Sequence, residues 1–159
     1  MVALKTLVFS ILVPGSVTVI IPWLLLQGTG GNVFAIPSVW MIGLLPMLLG
    51  VGLYVWCAGA FTFIGRGTPA PIDAPRVFVT QGAYRWVRNP MYVAVLLVVM
   101  GEAILFRSLL LAGYALLLGA TFHTFVVFVE EPQLVRRFGA SYETYVHTVP
   151  RWLPRIPQE

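Results

Sequence analysis

The sequence contains few charged residues and almost no cysteine. Of its 159 residues 10% are charged, whereas an ordinary soluble domain carries roughly 25%. Cys57 is the only cysteine, which excludes a disulfide scaffold. Hydrophobic residues make up 58% of the chain, which is far too many for a disordered protein and more apolar surface than a soluble domain of this length can bury. The composition therefore indicates a small integral membrane protein.

Several sequence patterns of soluble enzymes are also absent. No G-x-G-x-x-G follows a strand pattern, which excludes a Rossmann nucleotide site, and no spacing of Cys and His suggests a metal site. The net charge of +4 comes from arginines that lie beside hydrophobic runs. We therefore expect membrane lipids as partners, and no nucleic acid.

Long uncharged runs predict four membrane-spanning helices. No charged residue occurs from Thr6 to Gly65, a stretch of 60 residues, and about 20 apolar residues suffice for one span. Turn-forming residues at 27–37 divide this stretch in two. The first apolar run is too long for a signal peptide. We predict an all-α polytopic fold with spans at 7–26, 38–64, 90–106 and 108–129.

Arginines are distributed unequally between the predicted loops. The loop 65–89 holds four and the C-terminal tail holds four, whereas the two loops on the opposite side hold one, Arg107. By the positive-inside rule, both termini and the loop 65–89 lie on the cytoplasmic side. Glu102, near the far end of the third span, is the expected interfacial partner of Arg107.

The start of the third span is a candidate anion site. Asn89 is a favourable N-cap residue, and Pro90 suits the first helical position. The free N–H groups of such a helix end attract a carboxylate or phosphate, and Arg85 and Arg88 add positive charge. A plain capped helix and a site for lipid headgroups are the alternatives.

Two glutamates directly follow the last apolar run. Glu130 and Glu131 either terminate the span or bind the ammonium group of a ligand. His123 precedes Glu130 by seven residues, which in an α-helix places both on one face. An ionisable residue inside a span is costly and usually functional. His123 is therefore either a base for an amine or alcohol acceptor or a neutral imidazole bonded to another helix.

The C-terminal tail carries an amphipathic stripe. Apolar and aromatic residues recur at helical spacing, and Gly139 weakens this helix without necessarily ending it. The helix either lies on the bilayer surface or folds back as a lid that brings Arg151 close to an acceptor. The stripe consists of Leu134, Phe138, Tyr142, Tyr145 and Val149.

Two segments together resemble a known family. Residues 76–92, RVFVTQGAYRWVRNPMY, resemble the signature LVxxGxYxxxRHPxY of the isoprenylcysteine carboxyl methyltransferase family, which is related to phospholipid methyltransferases. Residues 130–145, followed by VPRWLP at 149–154, resemble its second signature, EExxLxxxFGxxYxxYxxxVPRxLP. The similarity covers about half of the chain, and short bacterial members are the most similar. It implies an enzyme of the bacterial inner membrane.

The resemblance implies a methyltransferase that uses S-adenosylmethionine and a lipophilic or lipidated acceptor, most simply a carboxylate. It divides the chain into an N-terminal hairpin, 1–64, and a catalytic hairpin with its cytoplasmic loop and C-terminal lid, 65–159. His123 and Arg151 are the catalytic candidates. The implied cofactor-binding residues are Arg76, Val77, Phe78, Val79, Tyr84, Arg88, Asn89, Pro90, Met91, Tyr92, Glu130, Glu131 and Tyr142.

Three departures from the family pattern leave the acceptor open. Asn89 stands where the best-known members have His, and Ala94 replaces a frequent Gly. The segment 125–128 lacks the arginine that grips the substrate carboxylate in the eukaryotic pattern, and His123, one turn further in, is the candidate to replace it. N-methylation of a phospholipid amine, reduction by a membrane enzyme that uses NADPH, and lipid binding without catalysis are the alternatives.

Overall fold

The structure is a computed structural model that describes residues 2–28, 38–65 and 77–155, and within these ranges it has helices and no strand. This confirms the predicted all-α class. Short 3-10 helices cover Ser38–Gly43 and Gly82–Arg85, and π-helical turns cover Ser16–Ile20 and Val126–Glu130. The α-helices are α1 (Val2–Gly15), α2 (Ile21–Gly28), α3 (Leu44–Phe63), α4 (Pro90–Leu105), α5 (Leu109–Phe125), α6 (Glu131–Phe138) and α7 (Ala140–Thr148).

Three continuous helical stretches are long and apolar enough to cross a membrane, namely Val2–Gly28, Trp40–Phe63 and Leu109–Phe138. The fourth, Pro90–Leu105, is equally apolar but shorter; its 16 residues extend about 24 Å, against a hydrocarbon core of about 30 Å. The chain is therefore an integral membrane protein. The predicted break at 27–37 and loop at 65–89 lie largely outside the described residues.

Helix α4 is the centre of the bundle and packs most extensively against α3. The two backbones can approach closely because each helix has a glycine, without a side chain, at the contact. A Cβ added at Gly50 would lie 2.6 Å from the carbonyl oxygen of Ala94, and one at Gly101 would lie 2.6 Å from that of Gly43. Small residues that permit such approach are typical of helix contacts in membranes.

The first spanning helix is largely exposed and is attached to the bundle by hydroxyl groups. Thr6 Oγ1 lies 3.0 Å from Thr62 Oγ1, and the Tyr54 hydroxyl donates to Ser10 Oγ at 2.8 Å. The Tyr114 hydroxyl of α5 donates to the carbonyl oxygen of Val17 at 3.0 Å. Interhelical hydrogen bonds of this kind hold helices together where lipid removes the hydrophobic driving force.

The predicted pairing of Glu102 with Arg107 is wrong. Glu102 is buried within the bundle, and its Oε2 has no hydrogen-bond partner. Arg107 adopts a positive φ of 53° in the turn after α4, and its guanidinium lies 5.0 Å from the ring centre of Trp40. The turn therefore directs the arginine onto an aromatic ring, where a cation–π contact replaces the expected ion pair.

The C-terminal tail also differs from the predicted single helix. The helix of α5 does not end at Val129 but continues through the π-helical turn into α6. It ends at Gly139, whose φ of +52° and ψ of −130° interrupt the helix before α7. Only glycine adopts this backbone conformation readily. The break directs Tyr142 and Tyr145 inward against Phe78.

Candidate functional site

A cavity of about 210 Å³ lies where the end of α3, the start of α4, the end of α5 and the tail helices meet. Aromatic and aliphatic side chains form most of its wall, and charged groups of both signs interrupt it. Its lining comprises Phe61, Val77, Phe78, Val79, Tyr84, Arg88, Asn89, Tyr92, Phe125, Val126, Glu130, Glu131, Gln133, Leu134, Arg137, Phe138, Tyr142 and Tyr145.

The segment before α4 forms one aromatic wall of the cavity. Phe78 stacks on Phe138 with ring centres 5.0 Å apart, and it meets the edge of Tyr145 at 5.1 Å. The Tyr145 hydroxyl donates to the carbonyl oxygen of Tyr84 at 2.6 Å. Burial raises the pKa of both Tyr84 and Tyr145 well above the ordinary phenol value, so both stay neutral.

Glu131 is held by two arginines from different segments. Arg88 Nη1 donates to Glu131 Oε1 at 2.9 Å. Arg151 grips both oxygens, with Nε to Oε1 at 2.7 Å and Nη2 to Oε2 at 2.9 Å. This hydrogen-bonded pairing raises the pKa of Arg151. Two guanidinium groups facing one carboxylate leave one positive charge uncompensated among the three.

Arg88 carries this surplus charge at the cavity wall. Its side chain is 9% exposed, and its Nε is buried without a hydrogen-bond partner. A buried donor left unpaired costs free energy, about 1–3 kcal/mol and more for a charged group. An anionic ligand group beside Arg88 would therefore be favoured, because it could accept a hydrogen bond from this Nε.

Glu130 offers the opposite charge. It lines the cavity, and the Tyr92 hydroxyl donates to its Oε2 at 2.8 Å. No arginine or lysine in the described part of the chain forms an ion pair with it. Its carboxylate is thus oriented by a neutral donor, and no cation of the described residues competes with a cationic ligand group for it.

Asn89 occupies the N-cap position of α4, as predicted, but its side chain does not cap the helix. Its side chain makes no capping hydrogen bond and instead donates from Nδ2 to the carbonyl oxygen of Arg151 at 3.2 Å. Backbone bonds continue this pairing, from Arg88 N to Pro150 O at 2.8 Å and from Arg155 N to Trp86 O at 3.0 Å. Hydrogen bonds therefore join the tail after α7 to the segment that precedes α4.

His123 does not line the cavity, although Glu130 does. The π-helical turn Val126–Glu130 lies between them, and because a π turn bonds residue i to i+5, it shifts the face that later residues occupy. Residues seven apart therefore no longer share a face. The exposed His123 instead accepts a hydrogen bond at Nδ1 from Trp152 Nε1 at 3.0 Å.

Most of the residues implied for cofactor binding surround this cavity. Pro90 and Met91 do not line it: Pro90 is fully buried, and Met91 packs against the buried cluster that includes Cys57 and Tyr84. Arg151 lies behind Glu131 and outside the lining, and Arg76 is outside the described residues. The lining residues among those implied are Val77, Phe78, Val79, Tyr84, Arg88, Asn89, Tyr92, Glu130, Glu131 and Tyr142.

Sequence reasoning missed other parts of the site. Phe61 and Phe125 line the cavity from apolar runs in which nothing distinguishes them from their neighbours. Arg137 lies 5.3 Å from the ring centre of Phe138 at the same cavity, and its helical spacing of seven from Glu130 was a usable signal. Trp152, which contacts Tyr92 and His123, was also missed, although it lies inside the second signature segment.

Comparisons with known proteins show what the chain is similar to. The chain is 39% identical over 84 residues to protein-S-isoprenylcysteine O-methyltransferase of Schizosaccharomyces pombe, a match that covers 51% of this chain and 34% of the relative. The chain thus spans about a third of the length of that relative. No solved structure matches the chain. The family model for phospholipid methyltransferase matches residues 39–141, and because this is more than half of the chain, the chain belongs to that family.

Proposed function

We propose that the protein is a membrane methyltransferase that uses S-adenosylmethionine to methylate the carboxylate of a lipophilic acceptor. The observation that carries this proposal is that one cavity holds both the net positive cluster of Arg88, Glu131 and Arg151 and the carboxylate of Glu130, which has no cationic partner among the described residues. Arg88 presents an unpartnered cationic Nε, and Glu130 presents a carboxylate bonded to Tyr92 and to no cation among the described residues. An amino acid headgroup, with one carboxylate and one ammonium, is complementary to such a pair.

The donor set fits the cofactor. Arg88 would hold the carboxylate of its methionine part, and Glu130 would hold the ammonium group. The rings of Phe78, Phe138 and Tyr145 supply apolar surface for a purine. Glu131 is already occupied by its two arginines, so we assign the ammonium site to Glu130 and a positioning role to Glu131.

The chemistry demands alignment more than acid–base catalysis. When bound, S-adenosylmethionine supplies a methyl group on a sulfonium sulfur, so the bond to the acceptor oxygen forms as the C–S bond breaks and the bonding pair stays on sulfur. A carboxylate acceptor releases no proton, and the residues here need only orient both partners and exclude water. Tyr92 and Phe125 line the cavity, and in this proposal they contribute to both tasks.

The tail acts in this proposal as the lid of the cavity. Leu134, Phe138, Tyr142 and Tyr145 all line it, and Tyr142 packs at the edge of Phe78, with ring centres 5.6 Å apart. A tail that only anchored the protein to lipid would have no need of these contacts. We further propose that this end of the bundle faces the cytoplasm, from which a water-soluble cofactor enters, in accord with the arginines around it.

N-methylation of a phospholipid amine is the second candidate, because the family model carries that name. An ammonium acceptor must lose a proton before it attacks, and both cavity glutamates are already engaged here, Glu130 by its assignment to the cofactor ammonium and Glu131 by its two arginines. The product separates the two candidates. A methyl ester releases its label as methanol in alkali, whereas an N-methyl group is stable.

Binding of S-adenosylhomocysteine to the purified protein in detergent tests the cofactor assignment. We expect Glu130→Gln to raise the dissociation constant about tenfold to a hundredfold, because a hydrogen bond to a charged group is worth about 1.5–3 kcal/mol. Isothermal titration measures the change. Labelled S-adenosylmethionine with an S-prenylated N-acetylcysteine, or with vesicles containing phosphatidylethanolamine, then identifies the acceptor class.

Glu143→Gln is the matched control, because Glu143 is an exposed glutamate on α7 outside the cavity lining. It should bind S-adenosylhomocysteine like the unchanged protein. Equal affinity of the Glu130 and Glu143 variants, or no binding by the unchanged protein, would contradict the proposal.

A further inference from the structure

A second polar cluster lies beside the cavity, on the surface of the spanning helices. The ring of Tyr92 lines the cavity and meets Trp152 on its other side, with ring centres 6.5 Å apart. Trp152 donates from Nε1 to His123 Nδ1 at 3.0 Å. Tyr92 thus contacts both the charged cavity and this pair, in which the imidazole is exposed and the indole is half-buried.

The imidazole of this pair is exposed on a helix long and apolar enough to cross a membrane. His123 belongs to the apolar stretch Leu109–Phe138 and is exposed, as are its neighbours Thr124 and Phe125. Phe125 also lines the cavity, so the cavity wall and the lipid-facing surface meet at this side chain. A lipophilic acceptor that approaches from the bilayer reaches the cavity past Phe125 and His123.

The hydrogen bond from Trp152 defines which ring nitrogen of His123 carries a proton. An indole N–H can only donate, so Nδ1 must accept and cannot itself be protonated. The neutral imidazole then carries its proton on Nε2. No described residue accepts a hydrogen bond from Nε2, and an N–H facing hydrocarbon without a partner is costly. His123 is therefore prepared to donate a hydrogen bond and not to remove a proton.

We propose that His123, held in this tautomer by Trp152, binds an oxygen of the acceptor carboxylate at the bilayer side of the cavity. This inference rests on the proposed function and adds the acceptor half of the site. Of the roles that the sequence left open for His123, it selects binding of the acceptor and not removal of a proton. It also gives the chain a carboxylate ligand in the region where the eukaryotic pattern has an arginine.

Four variants test the inference with an S-prenylated N-acetylcysteine as the acceptor probe. His123→Leu should raise the KM for the probe about tenfold or more, the effect of losing one hydrogen bond to a charged group, while the affinity for S-adenosylhomocysteine stays unchanged. His123→Gln restores an N–H near the Nε2 position and should recover most of the loss. Trp152→Phe should have an intermediate effect, and the neighbouring Thr124→Val should have none.

Nitrogen-15 NMR of the imidazole provides a readout that does not depend on methyl transfer. His147→Asn leaves His123 as the one histidine of the chain. Its spectrum should show the Nε2-protonated tautomer, should become mixed after Trp152→Phe, and should shift on addition of the prenylated carboxylate but not of its methyl ester.

The outcomes separate the two proposals. A shift of the His123 signals without any methyl transfer would retain the acceptor site and reject the proposed reaction. Methyl transfer with equal KM in His123→Leu and Thr124→Val, or no response of the imidazole to the carboxylate, would reject the acceptor site.

Discussion

The N-terminal spans and the cavity end of the molecule are stabilised by different interactions. The stretch from Thr6 to Gly65 has no charge, and it is held by close backbone approach at glycines and by hydroxyl pairs such as Thr6 with Thr62. The cavity end concentrates Arg88, Glu131 and Arg151 in one bonded cluster. The first region needs only complementary shape in lipid, whereas the second must also balance buried charge.

The largest expected effect is on the charged cluster. Glu131→Ala removes the carboxylate shared by Arg88 and Arg151 and leaves a mostly buried guanidinium without a counterion. Breaking a buried pair in this way costs about 3–5 kcal/mol. Because Arg151 is partly exposed, we expect the lower end, about 3 kcal/mol, or a midpoint lower by on the order of 10 °C in thermal unfolding in detergent.

Glu143→Ala is the control for this prediction, since Glu143 is exposed and a surface charge contributes little. An unfolding midpoint of Glu131→Ala that matches that of Glu143→Ala would mean that the cluster does not contribute to stability. The statement that buried charge stabilises the cavity end of the molecule would then be wrong.

The regions also differ in how far the sequence predicted them. The spans follow from apolar length alone, because lipid requires helices wherever a long uncharged run crosses it. Glu130 and Tyr92 were predicted through the signature segments, and both line the cavity. The ion pair of Glu102 with Arg107 was wrong, because proximity in sequence says nothing about the positive φ that turns Arg107 toward Trp40.

The remaining features depend on contacts between distant segments. Arg151 donates hydrogen bonds to Glu131, which lies 20 positions before it. Trp152 donates to His123, which lies 29 positions before it. The π-helical turn that moves His123 off the face of Glu130 comes directly before Glu131 and Pro132, and the missing N–H of that proline was a sequence signal that the periodicity argument did not use. Local periodicity assumes a regular helix, so it could not reveal that change of face.

A smaller effect is expected where α3 packs against α4. Gly50→Ala places a Cβ 2.6 Å from the carbonyl oxygen of Ala94, and because backbone cannot yield as a side chain can, we expect a loss of about 1–3 kcal/mol. Gly52, two residues along the same helix, has no neighbour within 4 Å of an added Cβ. Gly52→Ala should therefore be neutral or slightly stabilising, since alanine favours helix.

Thermal unfolding of the two alanine variants in the same detergent measures this difference. If both lose stability equally, the cost is a general property of glycine replacement in α3 and not of its contact with α4. The uncharged region would then depend less on close approach than the structure indicates.

The smallest expected effect concerns the attachment of the first span. Thr62→Val removes the hydroxyl 3.0 Å from Thr6 Oγ1 and keeps the branched shape of the side chain. Interhelical hydrogen bonds in membranes average about 0.6 kcal/mol, so the unfolding midpoint should fall only by about 1–2 °C. Thr121→Val is the matched control, because its hydroxyl bonds the carbonyl oxygen of Leu117 within its own helix. A loss for Thr62→Val as large as that for Glu131→Ala would show that a hydroxyl pair in lipid stabilises as much as a buried charge cluster, and the contrast between the two regions would disappear.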